Sequence, residues 1–152
     1  TTREPRAGEE HGVHYYFISV EEFKSAIASN ALVEYEEVYP GRFYGTLKSE
    51  VERIQQEGRN VILDIDVKGG VNVKKLYGND SLAIFIQPPS VEELRKRLIA
   101  RATDPIEAIN QRVSKAEFEI GFAPQFDEIV INDVLDSAVE KTRSLISQFV
   151  NS

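Results

Sequence analysis

The sequence predicts a single α/β domain with a largely parallel sheet, and three observations carry that prediction. Its 152 residues, 41% of them apolar, suffice to bury one sizeable core. Between Tyr15 and Gln87, short β-rich runs alternate with helical ones, the pattern of strands joined by crossover helices. No internal repeat or low-complexity tract interrupts that alternation.

Each element follows from local signals. Ser19-Val20-Glu21-Glu22 has the form of a capping box, so a helix opens there and runs to about Ser29, with Phe23 and Ile27 four apart on one face. Leu32 to Val38 reads as a strand. Gly41 and Gly45 bracket a turn region around Phe43 and Tyr44, and Thr46 to Glu57 reads as an exposed helix stopped by Gly58. Asn60 to Asp66, written N-V-I-L-D-I-D, carries the strongest strand signal in the chain. Gly69-Gly70 begins or interrupts a short helix reaching Leu76, and Leu82 to Gln87 is an apolar strand closed by Pro88-Pro89. Ser90-Val91-Glu92-Glu93 repeats the capping-box form and opens a helix from about Val91 to Arg101. Asp104 before Pro105 is an N-cap followed by a residue suited to a first helical turn, opening a helix to about Ile120. Glu128 to Asn132 is a final strand and Leu135 to Phe149 a terminal helix.

Composition narrows the function classes. Asp plus Glu number 25 against 18 Lys plus Arg, a net charge of −7, which argues against a nucleic-acid partner held by its phosphates. No apolar run approaches the roughly 20 residues of a transmembrane helix, so no membrane partner is expected and a cytoplasmic location is the default. The absence of cysteine excludes disulfides, thiolate metal sites and cysteine nucleophiles, and fits a reducing compartment. With no methionine, even at position 1, the sequence is read as a fragment or a processed chain.

Several constellations could carry chemistry. Asp64 and Asp66, two apart on an apolar strand, face one side of the sheet. They mark either the carboxyl end of a parallel strand, where open α/β sheets bind ligands, or caps on a loop or the next helix. Arg97 and Arg101, four apart, lie in a run with Arg95 and Lys96 that contains no acid, with Arg112 in the next helix. The run is either an anion site or a solvated face paired with Glu92, Glu93 and Glu107. Arg3 and Arg6 flank Pro5 in an extended segment, and with Tyr15 and Tyr44 they can clasp a phosphate unless the terminus is frayed. Glu34 and Glu36 point to one side of their strand, where a carboxylate can accept from a polar ligand edge. His11 and His14 have no His or Cys companions for a zinc site. Neither G-x-S-x-G, G-x-G-x-x-G nor G-x-x-x-x-G-K-[ST] occurs.

Read together, the motifs resemble those of the guanylate kinase family. The opening T-T-R-E-P-R-A-G-E-E-H-G-V-H-Y (Thr1 to Tyr15) resembles the family's GMP-phosphate-binding pattern T-T-R-x-P-R-x-G-E-x-x-G-x-x-Y. Further matches are L-V-E-Y (Leu32 to Tyr35), Y-G-T (Tyr44 to Thr46), L-D-I-D-V-K-G (Leu63 to Gly69), I-F-I-Q-P-P-S (Ile84 to Ser90), R-L-I-A-R-A-T-D (Arg97 to Asp104) and I-V-I-N-D (Ile129 to Asp133).

The resemblance implies a P-loop kinase-like parallel sheet flanked by helices, with a GMP-binding subdomain over residues 10–59 and a helical lid with its flanking helices over 91–120. It implies phosphoryl transfer from ATP to GMP, or to dGMP, with Mg²⁺, in a monomer or homodimer. Arg3, Arg6, Tyr15 and Tyr44 would serve the GMP phosphate, Glu9 would lie near the acceptor site, and Glu34, Thr46 and Asp66 would serve the guanine. Asp64 would lie near the reacting phosphates, Arg97, Arg101 and Arg112 would neutralise the moving charge, and Arg97, Arg101 and Asn132 would serve ATP. The family's strand and P-loop lie upstream of the T-T-R segment, so the present chain, lacking that unit, is expected to have little activity alone. Lys68, Ala102 and Val134 depart from residues common in the family. The alternative is a non-catalytic guanylate-kinase-like module that binds phosphopeptides.

Overall fold

The computed structural model describes residues 1–101 and 105–152. The chain forms two compact units, Thr1–Leu76 and Tyr77–Ser152, each with helices and one two-stranded sheet. Among the described residues parallel pairing is confined to the second unit, and the sheet of the first is antiparallel.

In the first unit, α1 (Val20–Ala28) opens on the expected capping box. The Glu22 amide donates to Ser19 Oγ at 3.1 Å, and the Ser19 amide donates to the Glu22 carboxylate at 2.7 Å. Phe23 is its buried anchor, 2% exposed, packed on Leu32 and stacked on Phe43 at 5.2 Å between ring centres. Strands β1 (Leu32–Tyr39) and β2 (Arg42–Leu47) form a hairpin that pairs Glu34 with Thr46 and Glu36 with Tyr44. Residues 1–3 follow the same hairpin: the Thr2 amide donates to the Phe43 carbonyl, and the Phe43 amide to Thr2 Oγ1. Helix α2 (Lys48–Gln56) carries the surface ion pairs of Arg53 with Glu50 and Glu57 and gives way to Gly58 at φ 71°.

Three expectations are corrected here. Only Gly41, at φ 75°, belongs to the turn. Gly45 lies inside β2 opposite Tyr35, where a Cβ would fall 2.7 Å from the Glu34 carbonyl oxygen, so close approach of two backbones explains this glycine. Thr46 sits on β2 rather than in a helix, because ladder pairing to Glu34 extends the strand and delays α2 to Lys48. Residues 60–66 form no strand: their apolar run has no ladder partner among the described residues, and Ile62 is 78% exposed. Helix α3 (Val67–Tyr77) follows, containing both Gly69 and Gly70.

In the second unit, β3 (Ile84–Gln87) and β4 (Glu128–Ile131) pair in parallel, with Val130 fully buried and Phe85 edge-on to Phe126 at 5.2 Å. Helix α4 (Val91–Ala100) is capped by Ser90 Oγ, which accepts from the Glu93 amide at 3.0 Å. It packs on α5 (Ile106–Ile120) through Leu98, Ile109 and Val113. The predicted N-cap Asp104 lies outside the described residues, as do Ala102 and Thr103. Helix α6 (Leu135–Val150) buries Ala138, while Leu135, Val139 and Val150 are exposed along an open groove shared with Ile86. No described helix is long and apolar enough to cross a membrane.

Candidate functional site

The first unit gathers two polar clusters on the face of the hairpin that carries Tyr44 and Thr46. Those residues are two apart on β2, so their side chains share one face. One cluster surrounds the Arg3 guanidinium, which is more than nine-tenths covered although its residue lies near the first position. Its Nη1 and Nη2 donate to the two oxygens of Glu9 at 2.7 and 2.9 Å, and its Nε donates to the Tyr44 hydroxyl at 3.1 Å. The rings of Tyr15 and Phe17 flank it at 5.4 and 5.6 Å, and Tyr15 stands edge-on to Tyr44 at 6.1 Å.

Residues 4–6 take neither helix nor strand, in keeping with the loop expected around Pro5, and a turn follows them: the Glu9 amide donates to the Arg6 carbonyl, Gly8 takes φ 85°, and the Arg6 amide donates to the Glu9 carboxylate at 2.7 Å. The Arg6 side chain is exposed and makes no hydrogen bond among the described residues. The Arg3 guanidinium, and after it the Arg6 amide, hold the Glu9 carboxyl down at about 2, so it is ionised at any working pH. Glu9 in turn pushes the Arg3 guanidinium further up from its usual value.

The other cluster centres on Glu34, a carboxylate 9% exposed on the inner end of β1. Thr46 Oγ1 donates to its Oε1 at 2.7 Å from the paired position on β2. Asp66 Oδ1 accepts the Gly69 amide at 2.7 Å, capping the first turn of α3, so for this residue the capping reading of the sequence holds. A Cβ on Gly69 would lie 3.2 Å from Asp66 Oδ1 and 3.3 Å from Glu34 Oε2, so the buried glycine admits both carboxylates to one place. Burial pushes the Glu34 carboxyl above the usual range, and the nearby negative charges of Asp66 and Glu36 push the same way, while Thr46 opposes them. Asp64 is exposed and is not brought to this cluster by any hydrogen bond among the described residues.

Within the second unit, the cations predicted as an anion site divide. Arg97 donates through Nε to Glu93 at 3.0 Å, through Nη1 to the Asn132 carbonyl at 2.7 Å and through Nη2 to the Asp133 carbonyl at 3.1 Å. It ties α4 to the end of β4 and brings two predicted residues, Arg97 and Asn132, together. Arg95 donates to Asn110 of α5 at 2.8 Å. Arg101 is exposed at the end of α4, and Arg112 is exposed on α5. Sequence reasoning missed Phe17, Gly69 and Asp133, the last within 3.5 Å of Arg97. Each left a signal without a role attached: Gly69 and Asp133 close the quoted motifs L-D-I-D-V-K-G and I-V-I-N-D, and Phe17 is an aromatic two residues beyond Tyr15.

Chemically, the first cluster offers a fixed cation with hydroxyls, a setting for an anion, and the second offers buried acceptors, a setting for a ring edge rich in donors. The guanylate kinase family model matches residues 1–149. A guanylate kinase of Porphyromonas gingivalis is 57% identical over 150 residues, covering 99% of this chain and 80% of that one. A guanylate kinase of Bacteroides fragilis is 52% identical over 150 residues, with 99% and 74% covered. The crystal structure of guanylate kinase from Anaplasma phagocytophilum superposes with a TM-score of 0.69 at 30% identity, covering 97% of this chain and 71% of that one. The chain belongs to the guanylate kinase family.

Proposed function

We propose that this chain serves phosphoryl transfer from ATP to GMP, giving ADP and GDP, with residues 1–76 as the acceptor-nucleotide unit. The observation that carries the reading is the placement of Tyr44 and Thr46 on one face of β2, each joined to a charged partner, Arg3 and Glu34. Arg3, Arg6, Tyr15 and Tyr44 take the phosphate of GMP. Glu34, Thr46 and Asp66 read guanine, whose N1 and N2 donors suit a carboxylate, whereas adenine lacks that donor pair. Residues 10–59 form the heart of that acceptor subdomain.

Arg97, Arg101 and Asn132 serve ATP, Arg97, Arg101 and Arg112 neutralise the moving charge, and residues 91–120 comprise a lid with its flanking helices that excludes water. Such transfer needs no covalent nucleophile; fixed cations stabilise the charge that develops as the phosphoryl group moves in line. Magnesium keeps most of its ligands as nucleotide phosphate oxygens and water, so a single exposed carboxylate, Asp64, fits it, and no set of three or more His, Cys, Asp or Glu gathers among the described residues. When bound, the ion neutralises the donor phosphates. The 152 residues contain no G-x-x-x-x-G-K-[ST] cradle, so weak transfer by the isolated chain is expected.

Thermal melts of the chain alone, with saturating GMP and with saturating AMP test the acceptor reading, because a ligand that binds only the native state raises the midpoint. A rise with GMP and not with AMP is expected. A cooperative melt unmoved by GMP would reject the reading in favour of a phosphopeptide-binding module.

A further inference from the structure

Glu9 is the residue of the phosphate cluster whose charge contradicts its place. An ionised carboxylate repels a phosphate, yet it lies against the cation that the proposed function gives to that phosphate. Both of its oxygens are already engaged, Oε1 by Arg3 Nη2 and Oε2 by Arg3 Nη1 and the Arg6 amide. A guanidinium has five N–H groups. Arg3 commits four: Nε to Tyr44, one on Nη1 to the Glu4 carbonyl, and one on each Nη to Glu9. A single Nη2 N–H remains. Tyr44, which accepts from Nε, keeps its own hydroxyl proton for donation. The Tyr15 and Phe17 rings restrict swing of the guanidinium out of its plane, and Glu9 restricts rotation within it.

We propose that Glu9 is a positioning residue that makes no contact with GMP: it clamps Arg3 through a two-pronged ion pair so that one Nη2 N–H and the Tyr44 hydroxyl are aimed together at the phosphate. The proposal rests on the acceptor reading above. It also assigns Glu9 a second duty, because the same carboxylate holds the Arg6 amide and so fixes the turn that presents the second arginine. Glu9 therefore sets how strongly the site distinguishes a nucleotide from its nucleoside, without touching either.

Isothermal titration of the whole chain with GMP and with guanosine tests this, in the wild type, Glu9→Gln, Arg3→Met and the double variant. The wild type binds GMP more tightly than guanosine. Glu9→Gln weakens GMP about tenfold, the scale on which an unfixed side chain must be ordered at binding, and leaves guanosine within about twofold. In the Arg3→Met background, Glu9→Gln has no further effect on GMP, because the residue acts through Arg3. GMP binding by Glu9→Gln equal to or tighter than wild type overturns the clamp while leaving the acceptor reading intact. Equal loss of guanosine and GMP also overturns it, since Glu9 would then be holding the fold. If the wild type binds GMP no better than guanosine, the acceptor reading fails and the clamp with it.

Discussion

Arg97 donates to the main-chain carbonyl of Asn132 across 2.7 Å, joining α4 to the carboxyl end of β4. Its other N–H groups reach Glu93 and the Asp133 carbonyl, so the side chain proposed to meet the donor nucleotide is also a brace for the strand end. Arg97→Gln is expected to lower stability by about 1 kcal/mol, the scale of a partly exposed hydrogen-bonded network. It should also reduce ATP-dependent transfer. Calorimetric melts and a coupled ADP assay read the two effects, and an unchanged midpoint would show that the brace contributes nothing.

Glu34→Gln replaces one acceptor by a donor at the position proposed to read guanine. A loss of about 1–3 kcal/mol in GMP affinity is expected, as for loss of a paired base contact. Because burial raises the Glu34 carboxyl, the ionised group opposes folding. The sign is definite: its stability cost grows as pH rises through the window from the ordinary glutamate value to the raised one. Glu34→Gln is thus expected to bind GMP worse and to melt no lower than wild type at neutral pH. A lower midpoint would mean that the Thr46 bond outweighs the desolvation.

The same shift predicts a pH dependence of base recognition. Protonated Glu34 presents a hydroxyl to the guanine donors, so affinity falls on acidification beginning above the ordinary carboxylate range. Guanosine is the proper ligand for the titration, since a phosphate monoester itself takes up a proton near pH ~6. The fall should be absent in Glu34→Gln.

Tyr44→Phe removes the acceptor of Arg3 Nε and, with it, the hydroxyl proposed to meet the phosphate. About 1 kcal/mol of GMP affinity should be lost, several-fold in the dissociation constant, with guanosine unaffected. Titration calorimetry of both ligands would expose a loss of guanosine binding, which this role does not allow.

Gly45→Ala drives a Cβ to 2.7 Å from the Glu34 carbonyl oxygen and 3.0 Å from Tyr35 Cβ. Backbone cannot yield as a flexible side chain does, so a destabilisation of about 1–3 kcal/mol is expected from overpacking. Urea melts measure it, and a variant as stable as wild type would show that the hairpin separates freely.

The elements written locally were legible in the sequence. Ser19 and Glu22 announce α1 because their two bonds span three residues, and Ser90 announces α4 through the one bond that its hydroxyl accepts from the Glu93 amide. Features that depend on distant pairing were not. Gly45 reads as a turn until Tyr35 is known to lie opposite it, and Thr46 reads as helical until Glu34 is. The run N-V-I-L-D-I-D records a demand for burial, but a strand exists only as part of a ladder, and residues 60–66 have none here. Candidate site residues were recognised by type, and the motif resemblance drew them into one list. Their geometry was hidden: that Glu9 grips Arg3, or that Arg97 reaches the Asn132 carbonyl, depends on where long side chains turn.

The pleat of β2 has one further consequence. Tyr44 and Thr46 are separated by two residues of extended backbone, roughly 7 Å, a length set by covalent bonds rather than by packing. The hairpin is therefore a ruler with a hydroxyl at each mark. Substitutions can alter what each side chain grips, while the interval between the two Cα positions stays within the narrow range of extended backbone.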